Sequence, residues 1–94
     1  MIPVLIPVLF PLGEVVITQG VRGTIAKPAV AAALMRHSTG DWGDLAEYDW
    51  KVNDDAVENG DRLVSKYSYQ DGDVFWIITE HDRSVTTILL PSEY

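Results

Sequence analysis

The sequence predicts a small single-domain α+β fold, with an N-terminal strand or arm and two helices packed on a three-stranded antiparallel β-meander. Three observations predict it. Strand-forming residues fill the last third around an Asp71-Gly72 turn, an alanine-rich run opens on Pro28 and stops before Gly40, and Leu45 to Asn59 carries apolar side chains at helical spacing. With 94 residues, 47% of them hydrophobic and 22% charged, the chain holds one modest core. Residues 1–12 read as an apolar, proline-rich arm and 13–94 as the domain.

The arm, Met1 to Leu12, carries Pro3, Pro7 and Pro11. A membrane-spanning helix needs about 20 apolar residues, and prolines remove helix hydrogen bonds that lipid cannot replace. A secretory signal would carry a basic start and a small-residue cleavage site, and neither is present. The arm is therefore expected to pack on the domain as an extended segment, or to mediate self-association as a homodimer. Gly13 to Thr18 reads as a short strand closed by Gln19-Gly20.

A helix is expected from Pro28 through His37, with Val30, Leu34 and either Ala33 or His37 on one face. Gly40 ends it, and the turn Gly40-Asp41-Trp42-Gly43-Asp44 follows. There Asp44 reads as the N-cap of the second helix, with Glu47 as its capping-box partner, while Trp42 suits a core plug. That helix, Leu45 to Asn59, places Leu45, Tyr48, Val52 and Ala56 on one face and stops at Gly60. Its other face carries Glu47, Asp54, Asp55 and Glu58. The last three approach the negative end of the helix dipole, a placement that costs stability and hints at a use for the charge. Lys51, four residues after Glu47, partly offsets it.

Arg62 to Tyr69 and Val74 to Glu80 flank the Asp71-Gly72 turn as a hairpin. A two-residue loop pairs Tyr69 with Val74, Tyr67 with Trp76, Lys66 with Ile77 and Ser65 with Ile78. A tight turn at His81 to Ser84 leads to the third strand, Val85 to Leu90, with Glu80 opposite Val85. Phe75, Ile77, Ile88, Leu90 and Val64 then share the face that carries the helices.

Charge narrows the function classes. The net charge is −7, but residues 1–40 hold one acid against three bases, whereas residues 41–94 hold thirteen acids against four bases and carry −9. Such a field repels phosphate backbones and argues against direct binding to DNA or RNA; it suits a basic protein partner or plain solubility. The absence of cysteine removes disulfides, thiolate catalysis and zinc knuckles, and fits a cytoplasmic protein. No cofactor motif is present.

Two dense polar runs remain. His81, Asp82 and Ser84 or Ser38 have the residue types of a hydrolase triad, without a nucleophile elbow or oxyanion hole. His37, His81, Asp41, Asp44, Glu80 and Asp82 lack recognised metal-ligand spacing, so no metal site is assigned. Asp41 and Asp44 could do paired-carboxylate chemistry, but a domain this small has little room for a sugar cleft. No catalytic residue is assigned. A small enzyme or ligand-binding module would need His37 and the 37–44 turn to meet Glu80, Asp82, Arg83 and Ser84. Arg83 could lock its own turn or reach Asp41 or Asp44.

The motifs His37-x-x-Gly40-Asp41-Trp42-Gly43-Asp44-Leu45, Asn53, Gly60-x-Arg62-Leu63-x-Ser65-x-Tyr67 and Trp76-Ile77-Ile78-Thr79-Glu80-x-Asp82-Arg83-Ser84-x-Thr86-Thr87-x-Leu89-Leu90-Pro91-x-Glu93-Tyr94 resemble a family. Its members are short bacterial proteins of unknown function carried on plasmids, prophages and integrative elements. The similarity covers roughly Leu12 to Tyr94; the arm and Trp50 depart from the pattern. Some members are labelled restriction–modification subunits, but this chain lacks the length and the glycine motif of a methyltransferase.

The resemblance implies a mobile-element accessory protein, and small acidic proteins of that kind often blunt host defence as anti-CRISPR or antirestriction factors. The leading expectation is a non-enzymatic protein that binds and inhibits a defence nucleoprotein. Asp41, Trp42, Asp44, Glu47, Asp54, Asp55 and Glu58 are its candidate partner-binding residues. The alternatives are the small enzyme or ligand-binding module with the polar site described above, and a self-associating structural protein using the arm.

Overall fold

The computed structural model describes residues 8–94, so Met1–Pro7 of the expected arm lie outside the described residues. The elements run β1 (Glu14–Ile17), α1 (Gln19–Thr24), α2 (Lys27–Ser38), α3 (Glu47–Asn59), β2 (Leu63–Ser68), β3 (Val74–Thr79) and β4 (Val85–Leu89). The fold is α+β, as expected, but the sheet is four-stranded and mixed, in the order β1-β4-β3-β2. The meander is antiparallel, and β1 adds to it in parallel along β4. The Glu14 amide donates to the Ser84 carbonyl (3.0 Å) and the Thr18 amide to that of Ile88 (3.0 Å), which holds both ends of the added strand.

Where Gln19-Gly20 was expected only to close a strand, the chain turns into the short helix α1. The Thr18 hydroxyl caps it by accepting from the Val21 amide (3.4 Å). Its two glycines are poor helix formers and conceal it in the sequence. Pro28 opens α2 in its first turn, as its missing N–H and fixed φ favour.

The hairpin register differs from the expected one by one residue. The connection is a 3-10 turn over Gln70–Gly72 with Gly72 at φ 82°, so Tyr67 pairs with Phe75, Lys66 with Trp76 and Ser65 with Ile77. A one-residue shift turns every β2 side chain to the other face. Leu63, Ser65 and Tyr67 therefore face the helices, and Val64 pairs with Ile78 on the far side. Phe75, Ile77 and Ile88 are buried as expected, with Leu90 packed beside them. The Glu80 amide meets the Val85 carbonyl at 3.0 Å, so the second hairpin keeps its expected register.

The core has two parts. Val21, Ile25, Val30 and Ala33 of the first two helices pack on Tyr67, Phe75, Ile77 and Ile88. Phe10, Trp42, Ala56 and Leu63 form the second cluster, beneath α3. Each large side chain fully buried here contributes about 1.5–3 kcal/mol. The described part of the arm thus packs on the domain through Phe10, and the Leu9 amide donates to the Ser38 carbonyl (2.9 Å). No described helix is long and apolar enough to cross a membrane.

The outer edge of β2 is covered by the glycine-rich turn. The Lys66 amide donates to the Trp42 carbonyl (3.1 Å) and the Asp44 amide to the Lys66 carbonyl (2.7 Å), with Gly43 bridged to Lys66 between them. Gly43 has φ 80°, and a Cβ there would overlap the Lys66 carbonyl oxygen. Only glycine permits this approach. Gly43→Ala is therefore expected to cost about 3 kcal/mol or more by combining backbone strain with a backbone clash. Urea denaturation followed by tryptophan fluorescence measures it, and a loss within experimental error would show that the turn is not docked on β2.

Candidate functional site

The side chains of the Gly40-to-Asp44 turn are engaged inside the molecule. Arg36, in the last turn of α2, grips Asp41 with two bonds, Nε to Oδ2 at 2.8 Å and Nη2 to Oδ1 at 3.2 Å. This pairing holds the Asp41 carboxyl below its usual range. The Gly43 amide donates to the same carboxylate (3.2 Å), and the Tyr67 hydroxyl donates to the Asp41 carbonyl (2.7 Å). Burial pushes the Tyr67 phenol up to about 12, so it remains a donor at any physiological pH. The clasp that the sequence suggested for Arg83 on Asp41 or Asp44 is thus made by Arg36 on Asp41.

Trp42 is fully buried, and its indole N–H donates to Asp54 of α3 at 2.9 Å. As a candidate partner contact it has no surface to offer; what it does is fix the helix that carries the acids. Asp44 does not cap that helix. Its carboxylate accepts from the Ser68 hydroxyl (2.6 Å), α3 begins at Glu47, and Ala46 occupies the cap position without a side-chain bond. Glu47 consequently has no capping-box partner. The pull of β2 on the Asp44 backbone and side chain outcompetes a cap.

Beside the turn, His37 is completely buried. Its Nδ1 meets the Ser65 hydroxyl and its Nε2 the Thr79 hydroxyl (2.9 Å); Thr79 in turn meets Thr86 (2.8 Å), and the Thr86 hydroxyl donates to the Leu12 carbonyl (2.7 Å). The direction of the chain follows from its end. Since Thr86 gives its proton to a carbonyl, it accepts from Thr79; Thr79 then accepts from His37, which must carry its proton on Nε2 and accept on Nδ1 from Ser65. Burial, reinforced by the nearby Arg83 cation, lowers the His37 pKa to about 4.

The second polar turn is also engaged. Glu80 pairs with Arg62 at 3.5 Å, and Asp82 accepts from both the Ser84 amide (3.1 Å) and hydroxyl (2.6 Å), which lowers its pKa. Arg83 is the one non-glycine residue at positive φ (60°) among the described residues. From that conformation it donates to the carbonyls of Ala56 (2.9 Å), Asp61 (2.6 Å) and Glu80 (3.2 Å). A cation thereby sits on the Ala56 carbonyl in the last turn of α3 and offsets the unfavourable placement of Asp54, Asp55 and Glu58.

The 37–44 and 80–84 segments both pack on Phe10. His37 packs edge-on to the Phe10 ring (5.3 Å), Trp42 stacks on it (6.1 Å), and the Arg83 guanidinium lies 5.6 Å from its centre. Among the described residues no hydrogen bond or ion pair joins the two segments, and no group of three or more His, Asp or Glu side chains is placed to hold a metal ion. Glu93 and Tyr94 are occupied as well. Glu93 accepts from Thr18 (2.6 Å), the Gly20 amide (3.0 Å) and the Leu90 amide (2.9 Å), and Tyr94 accepts from Arg62 (2.7 Å).

The face of α3 that points to solvent is acidic. Glu47, Asp49, Asp54, Asp55 and Glu58 are exposed, and Lys51 reaches Asp55 at 3.5 Å. Two side-chain bonds from Asn53, to the Val64 carbonyl (2.7 Å) and from its amide (3.2 Å), hold the helix on β2. At its start lies an open groove of about 880 Å³ lined by Leu45, Glu47, Tyr48, Trp50, Lys51 and Asp54. Tyr48 is 79% exposed. Comparison with known proteins adds no identity: no family model, curated protein or solved structure matches the chain.

The His37 chain predicts a pH dependence. An unfolded histidine titrates near 6.5 and the folded one near 4, so the contribution is complete above pH 6.5 and is lost as pH falls towards 4. Asp41 begins to matter only near 3.8 and below. Unfolding free energy should fall by about 2 kcal/mol between pH 7 and pH 5. His37→Gln, which donates and accepts but does not titrate, should flatten that interval; an equal slope in both proteins would contradict the assignment.

Proposed function

We propose that this chain is a non-enzymatic, acidic accessory protein of mobile genetic elements, a member of the plasmid, prophage and integrative-element family it resembles. It binds a basic protein surface of a host defence nucleoprotein and inhibits it, as an anti-CRISPR or antirestriction-like factor. The observation that carries this reading is the groove at the start of α3. Exposed Tyr48 and half-buried Trp50 line it together with the carboxylates of Glu47 and Asp54 and the cation of Lys51. That combination suits an arginine or lysine side chain, whose apolar stem and cation are taken by rings and acids together.

Further support comes from how the face is held. Asp54 is oriented by the Trp42 indole, and α3 is fixed along its length by Asn53 and at its end by Arg83. A pre-ordered acidic helix loses little entropy on binding. The charge of −9 over residues 41–94 steers basic partners towards it and away from nucleic acid itself. Glu47, Asp54, Asp55 and Glu58 are the contacts; Asp41, Trp42 and Asp44 act behind them as the support. No observation favours the enzyme alternative, since Glu80 is paired with Arg62, Asp82 with Ser84, Arg83 is bonded to the end of α3, and His37 is sealed inside.

The test uses purified CRISPR effector complexes and restriction nucleases from hosts of such elements, with cleavage of their substrates as the readout. The protein should inhibit at least one of them, more weakly as salt rises. The combined variant Glu47→Gln, Asp55→Asn, Glu58→Gln should fold normally and lose inhibition by about tenfold or more. An absence of inhibition throughout the panel, or equal potency of the neutralised variant, would overturn the proposal.

A further inference from the structure

Among the described residues the outer strand β1 is paired on one side only. Among the described residues nothing pairs with it on the side away from β4. The amides of Glu14 and Thr18 point to β4, so by the alternation of a strand the N–H and C=O groups of Val15 and Ile17 point outward. Natural sheets usually protect such edges with lysine, proline, a bulge or a covering loop. The other edge of this sheet has its loop, the Trp42-to-Asp44 turn on β2. Glu14-Val15-Val16-Ile17 has no lysine or proline and no cover among the described residues, and Val15, Val16 and Ile17 are 39%, 40% and 40% exposed. Behind the edge runs an apolar groove of about 770 Å³ between β1 and α2, lined by Val15, Ile17, Ile25, Val30 and Leu34 together with Arg22 and Lys27.

We infer that this edge pairs with the same edge of a second copy, in antiparallel fashion about a two-fold axis at Val16. The strand is self-complementary in that register. Val15 of each copy faces Ile17 of the other, and because both point their backbone groups outward the two pairs exchange four hydrogen bonds. Val16 faces Val16 on the axis, and Glu14 faces Thr18. The two grooves join and their apolar side chains cover each other. Charge selects this edge over others. Two chains of −7 repel, but β1 belongs to the segment of residues 1–40 in which bases exceed acids by two, while the −9 lies in residues 41–94. The inference is independent of the role proposed for α3.

The chain has no cysteine, which makes a direct test available. Residues facing each other at a non-hydrogen-bonded antiparallel pair have Cα atoms about 4.5 Å apart, within the range of a disulfide. Val16→Cys should therefore oxidise to a covalent dimer, whereas Val52→Cys, on the exposed surface of α3 (48% exposed), should remain monomeric under the same conditions. Sedimentation of the unmodified chain through a dilution series should show a monomer–dimer equilibrium. Val16→Lys and Val16→Glu should each be monomeric with unchanged circular dichroism, and their mixture should regain the dimer. A chain that is monomeric at every concentration, or a Val16→Cys variant that cross-links no faster than Val52→Cys, would overturn the inference. So would concentration-independent protection of the Val15 and Ile17 amides from hydrogen exchange that vanishes on deleting residues 1–7, because the chain's own N-terminus would then occupy the edge.

Discussion

The carbonyl oxygen of Leu12 can only accept a hydrogen bond, and the buried polar chain behind it takes its direction from that fact. Thr86, Thr79, His37 and Ser65 are all buried, and each hands a proton to the next group towards Leu12. One line of hydrogen bonds thereby joins β2, α2, β3, β4 and the segment that leads into β1. Leaving any of these groups unpaired would cost about 1–3 kcal/mol, and among the described residues no buried side-chain nitrogen or oxygen lacks a partner. A sheet face with hydroxyls at Ser65, Thr79 and Thr86 is tolerable only because a histidine spans the gap between them. His37 in turn is tolerable only while neutral.

Around this line the second core cluster assembles. Phe10 closes the arm over the His37 ring and stacks on Trp42; Trp42 holds Asp54, and Arg83, beside Phe10, holds the end of α3. The acidic helix is therefore positioned from within by an aromatic stack, an amide and a guanidinium. The polar residues that look most like an active site are the ones that do this holding. On α3 this leaves Glu47, Asp54, Asp55, Glu58 and Tyr48 facing solvent, which is why binding and not catalysis is the function proposed.

Much of the architecture was legible in the sequence. Pro28, Gly40 and Gly60 mark helix ends through properties of their own backbones, and the third strand could be placed because Glu80 and Val85 flank a short turn. The β2 register was not legible, since Asp71-Gly72 is compatible with a two-residue loop and with the three-residue turn that forms; the choice rests on which β2 face the helices bury. The inward set Leu63, Ser65, Tyr67 carries larger apolar bodies than the Val64, Lys66, Ser68 set that a two-residue loop turns inward, and Ser65 is accommodated there by its bond to His37. The α1 helix was hidden by two glycines. Arg36, Thr79, Thr86 and Phe10 were missed as organising residues, although a Thr79–Thr86 pair opposite one another across a predicted hairpin was a usable signal. Arg83 was singled out, but its left-handed backbone aims it at α3, which no local pattern reveals.

The buried polar chain depends on the state of one imidazole. Long-range proton–nitrogen correlation NMR of labelled protein at neutral pH reports the tautomer of each histidine. It should show His37 neutral, with its proton on Nε2 and none on Nδ1, and that spectrum should persist as pH falls until near 4. A proton on Nδ1, or titration at the ordinary value near 6.5, would contradict the hydrogen-bond chain from which the rest of the structure has been explained.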